Sequence, residues 1–199
     1  MERTQFKIYR KNQVNTDTMD IRNLINQIDR IEETKAHYIQ SKLPYGRTDL
    51  VPVMSTNTLN YHYGKLYKGY VDKANKGEGG NFQIAGAFLH SLYFPQFKAP
   101  AGANKPTGTS KEFISDFDKF KEEFTKAAMG IQGSGWIYMD TSGTIKTIKN
   151  HKVVKNIALL IDWWEHAWAL DYQADKAKYL ANTWKIINWD VVNDRINAK

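Results

Sequence analysis

The segment Ile161-Asp162-Trp163-Trp164-Glu165-His166-Ala167-Trp168 closes an apolar run and sets a carboxylate and an imidazole four residues apart among tryptophans. A charged Asp in surroundings so poor in water is costly unless something pairs with it. Two arrangements meet that demand. One is an Asp–His hydrogen bond at a strand-to-helix junction; the other is a metal ion that takes both side chains. Two more histidines bear on the choice. His62 lies in Leu59-Asn60-Tyr61-His62-Tyr63-Gly64, and His90 in Ala87-Phe88-Leu89-His90-Ser91-Leu92-Tyr93-Phe94. A lone histidine in such company is ordinarily a satisfied core residue. Three of them with one aspartate make a mixed nitrogen and oxygen set suited to a first-row transition metal.

The periodicity divides the chain into helices followed by strands. Asp17-Thr18-Met19-Asp20 reads as a helix start, and Ile21, Leu24, Ile25, Ile28 and Ile31 follow at helical spacing, which predicts a helix over 20–37. A second helix is predicted over 56–75, capped by Ser55 or Thr56, with residues 62, 66 and 70 on one stripe. A third is predicted over 81–97. Pro95, Pro100 and Pro106 with Gly102 and Gly108 mark a loop between lobes. Helices over 110–129 precede a hairpin, 135–140 and 144–150, around Thr141-Ser142-Gly143. A third strand over 157–163 delivers Asp162, and helices starting at Glu165 and Asp175 finish the chain.

Composition narrows the classes. The chain has 199 residues, no cysteine and a net charge of +7. Its lysines are scattered rather than grouped in one patch, which argues against nucleic acid. No stretch reaches the ~18 apolar residues of a membrane span. Met1-Glu2-Arg3-Thr4 leads into polar sequence without a secretory signal, and the lack of cysteine suits a reducing cytoplasm. Lys65, Lys68 and Lys73 either steer an anion or form a solvated helix face.

Several separated motifs, in order, resemble the iron/manganese superoxide dismutase family over Leu43 to Arg195. Leu43-Pro44-Tyr45 and Asp49-Leu50-Val51-Pro52 resemble its entry segment, and Tyr61-His62-Tyr63-Gly64-Lys65 its first ligand motif. Gly133-Ser134-Gly135-Trp136 resembles its turn into the sheet. Asp162-x-Trp164-Glu165-His166-Ala167 matches its signature, and Tyr179-Leu180 through Asn188-Trp189 closes the likeness. The resemblance implies an α+β fold: an N-terminal helical hairpin lobe, and a C-terminal α/β lobe with a three-stranded antiparallel sheet. The metal site lies between the lobes. The expected organisation is an N-terminal extension (1–40), a hairpin domain (41–100) and an α/β domain (101–199). The implied activity converts superoxide to oxygen and hydrogen peroxide by redox cycling of one iron or manganese ion per chain, iron being favoured. Zinc, which has no redox chemistry, does not serve. The implied metal ligands are His62, His90, Asp162 and His166. Tyr70 falls at the gate tyrosine, Trp136 and Trp164 at the aromatic walls, and Glu165 at the residue that reaches a partner's ligand histidine across a homodimer.

The chain departs from the family at several positions. The family carries a histidine at the position of Leu66 and a tyrosine at that of Ala169, a pair that meets across the dimer interface. Here both are apolar, so the gate is substituted. Leu89 and Phe94 replace an Asn and a Trp. Gly86 stands where a side chain would face the bound solvent, and His151 fits the alternative slot; otherwise it is a loop histidine between lysines. Only 27 residues separate His62 from His90, a shortened hairpin that argues for a dimer over a tetramer. The extension is either a helix docked on the domain or a docking element for an assembly partner. The alternative function is a weakly active or inactive structural member of the fold, recruited through that extension.

Overall fold

The computed structural model describes residues 37–198. All but the last residue of the helix expected over 20–37, and nearly all of the 1–40 extension, lie outside these residues. Helix α1 (Thr56–Tyr61) starts at Ser55, whose Oγ accepts the Thr58 amide at 3.1 Å. Its axis continues through a π-helical turn (His62–Tyr67) into α2 (Lys68–Lys76). That turn corrects the expected stripe of residues 62, 66 and 70. A π turn inserts an extra residue, as helices often do at functional sites. The buried positions become His62, Tyr67 and Val71, and Leu66 rolls out to half-buried.

Helix α2 ends at Gly77, whose φ of +73° suits glycine. The Gly77 amide bonds Ala74 O at 3.1 Å and the Glu78 amide bonds Lys73 O at 2.9 Å, closing the last turn. Helix α3 (Gly80–Tyr93) returns against α2, so the short hairpin is present. The helix expected over 81–97 stops early. Pro95 lacks the amide hydrogen an α-helix needs, and Phe94–Gln96 tighten into a 3-10 turn. The entering segment is tied along this hairpin. The Asn75 amide group takes both backbone groups of Tyr38, at 2.5 and 2.8 Å, and Tyr63 Oη donates to Ser41 O at 2.7 Å.

The expected helical stretch 110–129 is two helices, α4 (Gly108–Phe113) and α5 (Phe117–Met129). Asp116 restarts the second by accepting the Lys119 amide at 3.0 Å. Strands β1 (Gly135–Asp140), β2 (Ile145–Lys149) and β3 (Ile157–Asp162) form an antiparallel sheet in the order β2-β1-β3. Asp140 Oδ1 accepts the Ser142 and Thr144 amides and fixes the hairpin turn. Every residue of β1 and β3 is buried. Helices α6 (Glu165–Tyr172) and α7 (Lys176–Thr183) follow. The helix expected to run on from Asp175 is interrupted. After a 3-10 turn (Trp184–Ile186), Ile187 is extended and bridges Phe97, and α8 (Trp189–Asn197) starts at Asn188. The break lets the tail pair with the hairpin's exit: Lys98 N bonds Ile186 O and Asn188 N bonds Gln96 O, both at 2.8 Å.

Gly135 admits a close approach of β2 to β1. A Cβ there would collide with the Ile148 carbonyl oxygen of the neighbouring strand. Gly135→Ala should therefore destabilise the protein by about 2 kcal/mol, as overpacking does. Chemical denaturation checks this; an unchanged midpoint would show that β2 yields freely.

Candidate metal centre

Four side chains from four elements converge. His62 opens the π turn, His90 lies in the last turn of α3, Asp162 ends β3, and His166 is in the first turn of α6. Asp162 Oδ1 accepts the Trp164 amide at 2.8 Å, an Asx turn that ends the strand and brings His166 back beside it. Asp162 Oδ2 then lies 3.1 Å from His62 Nε2, 3.1 Å from His166 Nε2 and 3.6 Å from His90 Nε2. The two nitrogens of His62 and His90 are 3.0 Å apart. One atom from each of the four residues lies within 4.8 Å of all the others, and the group is buried but for a small exposure of His166.

The protonation pattern suits a cation. His90 Nδ1 lies 2.7 Å from Gly86 O and must carry the proton there, which leaves Nε2 a bare acceptor. Burial, with His166 nearby, pulls His62 down to about 4 against the pull of Asp162. Burial and His62 hold His90 well below the usual histidine range. Burial alone would raise Asp162, but His166 and His62 together hold it well below the usual carboxylate range. Neutral His62 and His90, the His166 imidazole and the anionic Asp162 carboxylate thus converge on one point. His62 Nδ1 is buried without a hydrogen-bond partner, whereas its Nε2 lies 3.1 Å from Asp162 Oδ2 and 3.0 Å from His90 Nε2, so without an ion its proton sits on Nε2, at the point of convergence. A divalent or trivalent transition-metal ion fits this donor set and would take the place of that proton.

A second polar group borders the first. Trp136 sits opposite Asp162 in the β1–β3 register, which directs both side chains to one face. Its indole Nε1 donates to His151 Nδ1 at 3.0 Å. Indole only donates, so the proton of neutral His151 is on Nε2, 3.0 Å from Tyr70 Oη. Burial lowers His151 to about 4 and keeps it neutral. Burial, then the Asp162 charge, pushes Tyr70 up to about 12. Tyr70 Oη thus accepts from His151 and keeps its own proton to donate. Trp164 stacks on His151 with ring centroids 4.4 Å apart. His151 is therefore not a solvent-facing loop residue. Gly86 is needed too, because a Cβ there would meet the Tyr70 ring at 2.7 Å.

Leu66 and Ala169 are half-buried, and Glu165 is exposed. Lys68 pairs with Asp72 at 2.5 Å, which offsets its charge, while Lys65 and Lys73 are exposed. Two features escaped the sequence reading. Phe82, 39% exposed, packs at 4.7 Å on His151 as an outer lip, and no motif marks it. Tyr179 Oη donates to Asp162 O at 3.0 Å and bonds Tyr93 Oη at 3.0 Å; the likeness included Tyr179 but suggested no role.

The buried histidines predict acid sensitivity of the metal-free protein. His62 and His151 titrate at about 4 in the fold against an ordinary 6.5. Stability is full above 6.5. As pH falls from there toward 4, the unfolded chain takes up protons that the fold refuses. Each such site costs about 1.4 kcal/mol per pH unit. The denaturation midpoint should drop between about pH 7 and about pH 5; a flat midpoint would mean that the fold accepts those protons.

Comparison with known proteins agrees with this geometry. Residues 37–81 match the alpha-hairpin domain of iron/manganese superoxide dismutases, and residues 108–195 match their C-terminal domain. The chain is 36% identical to a superoxide dismutase [Fe] of Bacteroides fragilis, with 80% of this chain and 99% of the relative covered. It is 38% identical to a superoxide dismutase [Mn/Fe] of Porphyromonas gingivalis, with 77% and 96% covered. A superoxide dismutase [Fe] of Pyrobaculum aerophilum is 32% identical, with 82% and 93% covered. Sequence, sheet topology and clustered side chains agree that the chain belongs to the iron/manganese superoxide dismutase family.

Proposed function

We propose that the protein is a superoxide dismutase that holds one iron or manganese ion through His62 Nε2, His90 Nε2, Asp162 Oδ2 and His166 Nε2. The observation that carries this reading is the convergence of three imidazoles and one carboxylate on a single, largely buried point. In the overall reaction one superoxide loses an electron to become oxygen. A second gains an electron and two protons to become hydrogen peroxide. When bound, iron or manganese supplies one-electron chemistry between two oxidation states. The chain supplies the rest. Tyr70 holds a donatable proton, His151 orients it, and Trp136 fixes the His151 tautomer. Trp136 and Trp164 wall the site and keep bulk water from it. Iron is the favoured ion, on the likeness of the Gly86 and His151 pair to family members that use iron or accept either metal.

The same reading divides the chain into an extension (1–40), a hairpin domain (41–100) and an α/β domain (101–199). It also makes the protein a homodimer. Glu165 is exposed, hydrogen-bonded to nothing among the described residues, and adjacent to His166. Nearby are Leu66, Ala169 and the exposed Leu170, and Tyr61 is exposed on α1, which packs on α6. A two-fold pair of Glu165 with the partner's ligand histidine would make a self-complementary contact. Among the described residues no helix is long and apolar enough to cross a membrane. A reducing cytoplasm is the proposed compartment, on the cysteine-free sequence.

Metal analysis with superoxide turnover of the purified protein tests the activity. We expect close to one equivalent of iron or manganese and turnover that disappears when the metal is stripped. Metal without turnover would favour a non-catalytic member of the fold. Asp162→Ala should lose metal retention, because the charge-neutralising ligand is gone; a full equivalent in that variant would refute its role. Light scattering should report a dimer that Glu165→Ala weakens. A monomer at micromolar concentration, or a dimer indifferent to that change, would overturn the interface.

A further inference from the structure

Among the described residues the sheet order leaves β3 at an edge, with one side of its backbone paired by no strand. An open edge in a core needs partners for each outward amide and carbonyl. Here side chains provide them at alternate residues. Ala158 O accepts from Arg195 NH1 at 3.1 Å. The Gln96 side-chain amide accepts the Leu160 amide at 3.1 Å through Oε1 and donates to Leu160 O through Nε2. Asp162 O accepts from Tyr179 Oη at 3.0 Å.

Arg195 lies in the last turn of α8, is 1% exposed and pairs with no carboxylate among the described residues. Burying an unpaired guanidinium is expensive unless its donors find acceptors; NH1 and NH2 do, while Nε has none among the described residues. Besides Ala158 O, NH1 reaches Gln96 Oε1 at 3.1 Å and NH2 reaches Leu92 O at 2.5 Å. Leu92 is two residues past His90, and its carbonyl is in the last turn of α3, where helices leave carbonyls unpaired. Leu160 is two residues before Asp162. One charged fork therefore spans from the end of the His90 helix to the edge of the Asp162 strand.

We propose that Arg195 and Gln96 are positioning residues that fix the separation of His90 from Asp162 and thereby the grip and geometry of the metal site. Their planar groups are rigid and each makes more than one bond, so the helix end and strand edge are held at a set offset. Tyr93–Tyr179 is a second tie, from α3 to α7, and it reaches β3 through the Tyr179 bond to Asp162 O. It bonds through single phenol oxygens, which leaves the offset to the Arg195–Gln96 pair. This inference rests on the metal-binding reading above.

The test compares the iron-loaded wild type with Arg195→Met and Gln96→Glu. Arg195→Met removes the fork. Gln96→Glu keeps the volume and gives Arg195 a carboxylate, but its oxygen cannot donate to Leu160 O. Release of iron to a chelator is timed at a temperature where circular dichroism reports folded protein, and the ferric electron paramagnetic resonance spectrum is recorded. We expect both variants to release iron on the order of tenfold faster, the size typical of groups that orient ligands, with a changed rhombic splitting. Folded variants with the wild-type release rate and spectrum overturn the proposal, even if their melting temperature has dropped. Should Arg195→Met fail to fold, Gln96→Glu decides alone. A wild type that retains neither iron nor manganese ends the functional reading and this proposal together. A wild type that holds metal beside variants indistinguishable from it ends only this proposal.

Discussion

Three imidazole nitrogens and a carboxylate oxygen, all within 4.8 Å of one another, converge in a pocket that is buried but for a small exposure of His166. That arrangement is the constraint on which the structure depends. The lone pairs repel unless protons or a cation lie between them, and burial disfavours the protons. The elements therefore hold the donors against their mutual repulsion: an Asx turn for Asp162 and His166, the Gly86 carbonyl for His90, and a π turn for His62. Metal binding and fold stability are coupled through this site, because whatever ion binds the folded pocket is absent from the unfolded chain.

On the proposed reading, the proton side of the chemistry is built with equal economy. Trp136 can only donate, so it dictates the His151 tautomer, and His151 in turn dictates which way Tyr70 directs its proton. Gly86 belongs to this device although it offers no polar atom. Its missing side chain is the space that the Tyr70 ring occupies. On the proposed reading, the pair Gly86 and His151 is one solution rather than two substitutions, since a bulkier residue at 86 would push Tyr70 away from His151.

Much of this was legible in the chain, for identifiable reasons. His62, His90, Asp162 and His166 stood out because polar groups in apolar segments need a partner. The strands around Thr141-Ser142-Gly143 were marked by turn chemistry. Boundaries were less legible. The π turn at His62–Tyr67 leaves no mark in residue type, since it arises from packing. The break at Ile187 exists to pair with Phe97, a residue about ninety positions earlier, and no local pattern announces it. Arg195 and Gln96 were invisible for a related reason. Polar residues near the end of a helix or after a proline read as surface, and only the tertiary fold turns them onto the edge of β3.

Leu66 and Ala169 bear on how two copies would meet. Replacing a polar pair with apolar side chains adds hydrophobic area beside Tyr61 and Leu170, which favours association but discriminates poorly among orientations. A carboxylate in such a setting is costly to bury unless it finds a partner. On the proposed reading, Glu165 supplies that discrimination. Only the two-fold arrangement that brings each Glu165 to the partner's ligand histidine removes both charges from water with compensation. Affinity would come from the apolar ring and register from the buried acid, so the substitutions at 66 and 169 alter the proton route without releasing the constraint that aligns the two sites.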